Sequence, residues 1–299
     1  MSYKPHHQPV LLQETLELLA PQPGESVLDV TLGLGGHALE ICERIGSTGM
    51  YIGLDADEAN IAIATEHLKK HEDKLQVIHS NMAELPNIFE DTVDIVFADL
   101  GLSSPHIDEP ERGFMFREDA PLDCRYDRSQ GLTAAEWIAQ RSDKNLVAIL
   151  QRYGELRQSY RLATAIKEAL PQTTRELFNA IESVVGYRVK NVAPQVFQAL
   201  RIELNRELES VEVLLRSLES LLKPGGRCGV MSYHSLEDRL VKQVFKQLAT
   251  PTIDELTGQI TEESPWKIIT KKPVVPTQEE IDLNPRSRSA KLRIISRNS

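Results

Sequence analysis

Short apolar runs and helical stripes alternate through the first hundred residues. "SVLDVTLG", from Ser26, is an apolar run that ends in glycines, and "GHALEICERI" repeats its apolar positions at helical period. "MYIGLDA" is the next strand. "DEANIAIATEHLKKH" reads as an amphipathic helix opened by Asp57 as N-cap. "QVIHS" and "VDIVFADL" are two further strands. This order predicts a parallel sheet with right-handed crossovers.

The alternation then breaks. From Ile107 to Lys190 only helices and loops are legible: "TAAEWIAQRSDKNLVAILQRYG", "YRLATAIKEAL" and "TTRELFNAIESVVG". The expected organisation is a discontinuous α/β domain, 1–106 and 191–299, with a small helical domain, 107–190, inserted as the substrate-recognition part. From Phe197 a stripe runs through Leu200, Leu204, Leu208, Val211, Leu215, Leu218 and Leu222, in steps of three and four. It predicts one long helix stopped by Lys223-Pro224-Gly225-Gly226. "RCGVMSYHS" follows as a strand and "LEDRLVKQVFKQLA" as a helix. A polar loop near Thr250–Ser264 precedes "WKIIT" and "AKLRIISR", expected as a closing antiparallel pair. No internal repeat is present.

Composition changes this picture little. The chain has 299 residues, 41% apolar and 26% charged, as a soluble globular protein does. No run approaches the roughly eighteen apolar residues of a membrane span, and "MSYKPHHQPV" lacks the apolar core of a secretory signal. Three scattered cysteines, Cys42, Cys124 and Cys228, fit a reduced cytoplasmic protein. Charge matters more. The net charge of -10 argues against wholesale nucleic-acid binding, which leans on counterion release by Lys and Arg. Yet the tail carries Arg286, Arg288, Lys291, Arg293 and Arg297 without an acid, and "GYRVKN" adds Arg188 and Lys190. Such a patch suits local docking of a polyanion; a merely solvated tail is the alternative.

Candidate chemistry begins at "LDVTLGLGGHA", between the first strand and first helix. Gly33, Gly35 and Gly36 allow a tight turn and close ligand approach, and Gly33-x-Gly35-x-x-Ala38 meets a loose dinucleotide fingerprint. Asp55 ends the second strand about twenty residues on, where an acid receives ribose hydroxyls. The pattern therefore expects an adenosine-bearing ligand. A nicotinamide cofactor would seat its pyrophosphate on the helix N-terminus. S-adenosylmethionine has no phosphate but carries an ammonium, for which Asp29 offers an anion. That favours the methyl donor.

A second candidate lies where the fourth strand runs out: "ADLGLSSPHID" puts Asp99, Ser103, Ser104 and His106 after an apolar core run. Helix capping explains such residues locally. In open parallel sheets, however, this end is also where ligands bind. Asp99 and Ser104 are candidate acceptors for the hydrogens of an amine, with His234 a weaker one. Phe114, Phe116, Tyr126 and Tyr233 are candidates to stack on a base. "PLDCRYD" places Asp123, Arg125 and Asp127 on one side if extended, so Arg125 contacts a phosphate or base, or else belongs to an ion-pair cluster. Arg125, Tyr126, Ser103, Arg286 and Arg288 are the expected substrate contacts. His67, His71 and His79 raise a metal reading, with His67 and His71 at i, i+4 on a helix, but no nearby Cys or HExxH pattern supports it and a surface helix pair is the commoner case.

Taken together, the chain resembles the RsmH/MraW family of bacterial 16S rRNA cytosine-N4 methyltransferases. The segments that carry the resemblance are "HQPVLLQETLELL", "DVTLGLGGHA", "GLDADEAN", "DLGLSSPHID", "RGFMF", "PLDCRYD", "YGELR", "FQALRIELN", "YHSLEDRLVK" and "NPRSRSAKLR", all in family order. The resemblance implies a class I (Rossmann-like) S-adenosylmethionine-dependent methyltransferase with a mostly parallel seven-stranded sheet. It implies S-adenosyl-L-methionine as donor, held by Gly36, His37 and Ala38, with Asp55 on the ribose, Met82 facing the adenine, and Asp99 and His106 after the fourth strand. Its implied acceptor is N4 of a cytidine in the 16S rRNA decoding region, within the small ribosomal subunit. No membrane partner is expected, and the oligomeric state, a homodimer included, is left open. Met82 stands where the family usually has Phe, His106 where it has Gln, and "DCRYD" where it has "DMRMD". Met still packs on a purine, and His still donates one hydrogen bond. Two other readings compete: a nicotinamide-dependent oxidoreductase, and a non-catalytic ribosome-assembly factor that keeps the fold.

Overall fold

The computed structural model describes residues 9–254, 257 and 259–299. Part of the N-terminal stretch read above for a signal, and part of the Thr250–Ser264 loop, lie outside the described residues. The chain divides into two compact units: one holds the described residues up to Gly101 together with Glu209–Ser299, the other is Leu102–Leu208.

The first unit is built on a seven-stranded sheet. Its strands are β1 (Ser26–Asp29), β2 (Met50–Asp55), β3 (Leu75–His79), β4 (Val93–Asp99), β5 (Leu222–Ser232), β8 (Trp266–Ile268) and β9 (Lys291–Arg297). A separate antiparallel pair, β6 (Thr252–Ile253) and β7 (Ile260–Glu262), lies in the loop read as polar. The sheet order is β3-β2-β1-β4-β5-β9-β8. The first five strands are parallel, and β9 pairs antiparallel with both β5 and β8. This is the expected class I arrangement, closing pair included. β4 shows why the apolar runs read as strands: Ile95 and Phe97 enter the core on one face, Val96 and Ala98 the core on the other. A central parallel strand is buried on both sides, so its sequence is nearly all apolar.

The helices are α1 (Leu12–Leu19), α2 (Gly36–Ile45), α3 (Glu58–His67), α4 (Leu85–Ile88), α5 (Ser104–Asp108), α6 (Ala134–Gln140), α7 (Asp143–Arg152), α8 (Ser159–Ala169), α9 (Thr174–Val185), α10 (Val189–Leu204), α11 (Glu207–Leu221), α12 (Ser235–Leu248) and α13 (Gln278–Leu283). Asp57 caps α3 as expected, its carboxylate accepting from the Ala59 N–H at 2.9 Å. α6 to α10 surround a core of their own, centred on residues such as Trp137, Leu150, Ile166, Ile181 and Leu200. The expected helical insertion was 107–190. The compact unit runs from Leu102 to Leu208, because α10 is continuous to Leu204 and its apolar face joins that core.

The stripe from Phe197 to Leu222 is not one helix. α10 ends at Asn205, Arg206 takes a left-handed φ of 56°, and α11 starts at Glu207. Asn205 holds the break: its amide nitrogen donates to the Arg201 and Cys124 carbonyls, and its oxygen accepts from the Tyr126 N–H at 2.7 Å. The stripe also serves two cores, with Phe197 and Leu200 in the helical unit and Val211, Leu215 and Leu218 against the sheet. Apolar spacing alone does not register a single left-handed residue.

Candidate functional site

Three aspartates end three neighbouring strands, Asp29 on β1, Asp55 on β2 and Asp99 on β4. The glycine loop connects β1 to α2. Gly35 is the N-cap of α2 at φ 79°, a conformation that side-chain-bearing residues adopt only with strain, and it offers no capping side chain to the first-turn amides. Gly36 is packed so closely that a Cβ would lie 2.6 Å from the Pro9 ring. Gly33 donates its N–H to Asp55 Oδ2 at 2.7 Å, while Asp55 Oδ1 accepts from the Asp57 N–H at 2.8 Å and more weakly from Asn60. A carboxylate offers about four lone-pair sites, so Oδ2 keeps capacity for a hydroxyl. Burial pushes the Asp55 carboxyl up to about 7, against the lowering effect of those amides. Ala38 is core, and Met82 packs at the start of the 3-10 turn after β3 with Leu28, Ile52 and Leu54. These residues fit an adenosine-bearing donor: amides without a side-chain cap, a carboxylate with a lone pair to spare, and an apolar thioether in the core cluster of β1 and β2.

Asp99 accepts the fewest side-chain hydrogen bonds of the three carboxylates. Its N–H donates to Thr31 Oγ1 at 2.6 Å, and its Oδ1 accepts from the Tyr233 hydroxyl at 2.8 Å. Its Oδ2 lies 3.6 Å from His37 Nδ1, too far for a hydrogen bond. His37 is buried, and burial pulls its imidazole down to about 4. The ring is therefore neutral. Its Nε2 stands 3.1 Å from the Val10 carbonyl, which only accepts, so Nε2 carries the proton. Asp99 Oδ2 thus meets no donor from His37. Burial, helped by the negative charges of Asp29 and Glu237, pushes the Asp99 carboxyl up to about 7.

Asp29 departs from expectation. It is 1% exposed, and its oxygens accept from the Tyr51 hydroxyl at 2.6 Å and the Thr31 N–H at 3.0 Å. It braces the strand ends from below instead of offering a free anion to an ammonium. Sequence reasoning missed Tyr51, Thr31 and the Tyr233 hydroxyl as the groups that hold these carboxylates. Their partners lie 2 to 134 positions away along the chain, and the long-range pairs leave no local signal.

His234 was a candidate proton acceptor, but it caps α12. Its Nδ1 takes the Glu237 N–H at 3.4 Å, and its Nε2 lies 3.0 Å from Glu237 Oε1. The basic tail is likewise mostly structural. Lys291 and Arg293, on β9, bind Asp238 at 3.0 and 2.7 Å, and Arg297 donates to the Glu219 and Leu222 carbonyls. Arg286 and Arg288 alone of the five stay exposed, on the 3-10 turn Pro285–Ser289.

In the helical unit, Ser103 is the N-cap of α5. His106 Nδ1 accepts from the Ser103 N–H at 3.1 Å, and the Ser103 hydroxyl lies equally close. Ser104 follows, its hydroxyl without a hydrogen-bond partner among the described residues. The His106 ring stacks on Tyr126 at 5.0 Å and tilts against Phe114. Phe114 and Phe116 belong to the helical core, Phe116 against Phe178 and Phe197. Tyr126 is tied down by a 2.9 Å bond from its hydroxyl to Glu207, which also holds Arg201 through two bonds of 2.6 and 2.9 Å.

"DCRYD" is not extended, since Cys124 takes φ 63°. Arg125 is committed to the Asp123 carboxylate, at 2.7 and 3.1 Å, and to the Gln130 and Gly131 carbonyls. Asp127 turns away to cap Ser129 and Gln130. The ion-pair alternative for this motif is the one observed, with four of the five Arg125 side-chain N–H donors engaged within the loop.

Comparison with known proteins completes the description. The family model described as "MraW methylase family" matches residues 4–298. The chain is 44% identical to the ribosomal RNA small subunit methyltransferase H of Nostoc punctiforme, over 96% of this chain and 93% of that one. It is 40% identical to the protein of that name from Caldicellulosiruptor saccharolyticus, over 96% and 98%, and 39% identical to that from Clostridioides difficile, over 97% and 98%. The chain belongs to the MraW methylase family.

Proposed function

We propose that this protein, a methyltransferase by family and fold, transfers a methyl group from S-adenosylmethionine to N4 of a cytidine in the decoding region of 16S rRNA. The relatives' names bring small-subunit ribosomal RNA to this chain. The observation that carries the chemistry is Asp99, which ends β4 with Oδ1 satisfied by Tyr233 and Oδ2 facing a neutral His37. When bound, the donor supplies a methyl carbon on a sulfonium, so that the amine nitrogen forms its bond to carbon as the carbon–sulfur bond breaks.

The chain's own work is alignment first. The loop Gly33, Gly35, Gly36, His37 and Ala38 shapes the donor cradle, Asp55 takes ribose hydroxyls, and Met82 packs against the adenine. The cytosine amine is a weak nucleophile because its lone pair is delocalised into the ring. Asp99 Oδ2, accepting one amine hydrogen, localises that lone pair and receives the proton that the methylated nitrogen must lose. Tyr126 and Ser103 order the substrate-side loop, and Arg286 and Arg288 meet phosphate. His106 is buried against Tyr126 and Phe114 and holds the Ser103 backbone at the start of α5. The substrate is the rRNA within the small subunit, and the setting is cytoplasmic. Among the described residues no helix is long and apolar enough to cross a membrane.

The test is transfer from methyl-labelled donor to small subunits lacking the modification, and to deproteinised rRNA, followed by digestion to nucleosides. Label in N4-methylcytidine is the expected result. Label on another nucleoside overturns the target atom. Donor binding without transfer to either acceptor favours the assembly-factor reading, and tighter binding of NAD than of S-adenosylmethionine favours the oxidoreductase.

A further inference from the structure

The helical unit exposes aromatic rings that no core claims. Tyr187 is 93% exposed and Tyr160 is 70% exposed, although large apolar side chains in this unit are otherwise mostly buried. Tyr187 is not on a loose segment. It sits in the 3-10 turn Gly186–Arg188, between Val185 and Val189, both of which are buried in the helical core. The turn is pinned on both sides and presents the ring outward.

Each tyrosine is followed by an exposed arginine, Arg161 and Arg188, and Lys190 is exposed one residue into α10. Among the described residues neither Arg188 nor Lys190 makes an ion pair. No acid lies between Glu182 and Glu203, in a protein whose net charge is -10. The two Tyr-Arg pairs also share a location. α9 follows α8 after a four-residue connection, 170–173, and packs against it. The start of α8 and the turn after α9 therefore lie at one end of that helix pair.

We propose that this end of the helical unit, Tyr160-Arg161 with Tyr187-Arg188 and Lys190, is a docking platform for unpaired nucleotides of the substrate RNA. Exposed aromatic rings stack on bases whatever their identity, while adjacent cations hold the backbone. That combination fits a single-stranded segment flanking the target cytidine better than it fits duplex RNA, which offers no base faces. The charge is complementary to RNA and opposite to that of the rest of the chain. The platform rests on the rRNA reading above and adds to it a second point of contact, separate from the residues proposed to hold the donor or the amine.

The test uses the full-length protein with small subunits and with deproteinised rRNA as acceptors. Tyr187→Ala, Tyr160→Ala and the double change Arg188→Glu, Lys190→Glu alter exposed side chains, and circular dichroism checks that folding is kept. The expected result for Tyr187→Ala is a rise of about tenfold in KM for either RNA acceptor, with kcat at saturating acceptor and Kd for S-adenosylmethionine unchanged. The charge variant flattens the salt dependence of RNA binding by about two phosphate contacts. Unchanged KM in all three variants, with the wild-type protein active, overturns the platform and leaves the methyltransferase reading intact. A loss confined to assembled subunits, with an unchanged salt slope on bare rRNA, overturns it in favour of a ribosomal-protein contact. Failure of the wild-type protein to methylate either acceptor overturns the substrate reading and the platform with it.

Discussion

The polar groups at the strand ends of the α/β unit and those around the 112–126 loop of the helical unit are both largely withdrawn from solvent but arranged differently. In the helical unit, charges are matched to one another: Asp123 with Arg125, and Glu207 with Arg201 and Tyr126. Arg112 likewise spends its Nη2 on the Arg125 and Tyr126 carbonyls. At the strand ends, no cation among the described residues pairs with Asp55 or Asp99. Asp55 is held by N–H donors on both oxygens, with lone-pair capacity left on Oδ2, and Asp99 is held by the Tyr233 hydroxyl on Oδ1, which leaves Oδ2 in reserve. Burial raises both carboxyls to about 7, whereas Arg125 beside Asp123 is held more firmly protonated. Matched charges build a rigid loop. Unmatched carboxylates store a cost that a ligand can relieve, which is why perturbed groups mark candidate sites.

That contrast can be broken at either end. The largest effect is expected from Glu207→Ala, which removes the carboxylate that binds Arg201 twice and the Tyr126 hydroxyl once. Losing one partner of a buried pair costs about 3 kcal/mol or more. Thermal or urea unfolding should show a marked drop in stability, with donor affinity little changed in the fraction still folded. Next is Asp99→Asn, which keeps the shape and the bond from Tyr233 but cannot take a proton. Methyl transfer should fall about 10²- to 10³-fold, the order of losing general-base and oriented electrostatic help, with the unfolding midpoint equal or higher. A lowered midpoint would mean that Asp99 is a structural group like Glu207.

Asp55→Ala is expected to weaken S-adenosylmethionine binding by about 1.5–3 kcal/mol, the worth of a charged hydrogen bond. Calorimetric titration measures this directly, and unchanged affinity removes Asp55 from the site. The smallest effect is in pH dependence, where the two trends oppose. Asp55 and Asp99 have folded pKa values above their unfolded ones, so between about pH 4 and 7 the folded state holds more protons than the unfolded state. Their contribution to stability is present in acid and is lost as pH rises through about 7. Activity needs Asp99 ionised, so kcat/KM should climb several-fold through the same range and then level off. A rate profile flat across pH 6–8 would separate Asp99 from the proton.

Much of this architecture follows from local pattern. Strand runs, the α3 cap at Asp57, the glycine turn and the helical character of the insertion each depend on period, backbone freedom or a cap within a few residues. So does the list of acids at strand ends, because apolar runs that stop in Asp are visible in one dimension. What the sequence by itself determined, then, was the order of the elements, the family and the positions where chemistry could sit. Only the tertiary structure decided which of those side chains are already spent. Arg125 is engaged by Asp123 and two carbonyls, His234 by its own helix, Lys291 and Arg293 by Asp238, and Asp29 by Tyr51. It also split the long apolar stripe at Arg206, where Asn205 reaches across to Cys124 and Tyr126. The physical reason is the same throughout. Whether a charged or polar group is free to act depends on its hydrogen-bond partners, and in a folded chain most of those come from segments far away in sequence, brought close only when the cores form.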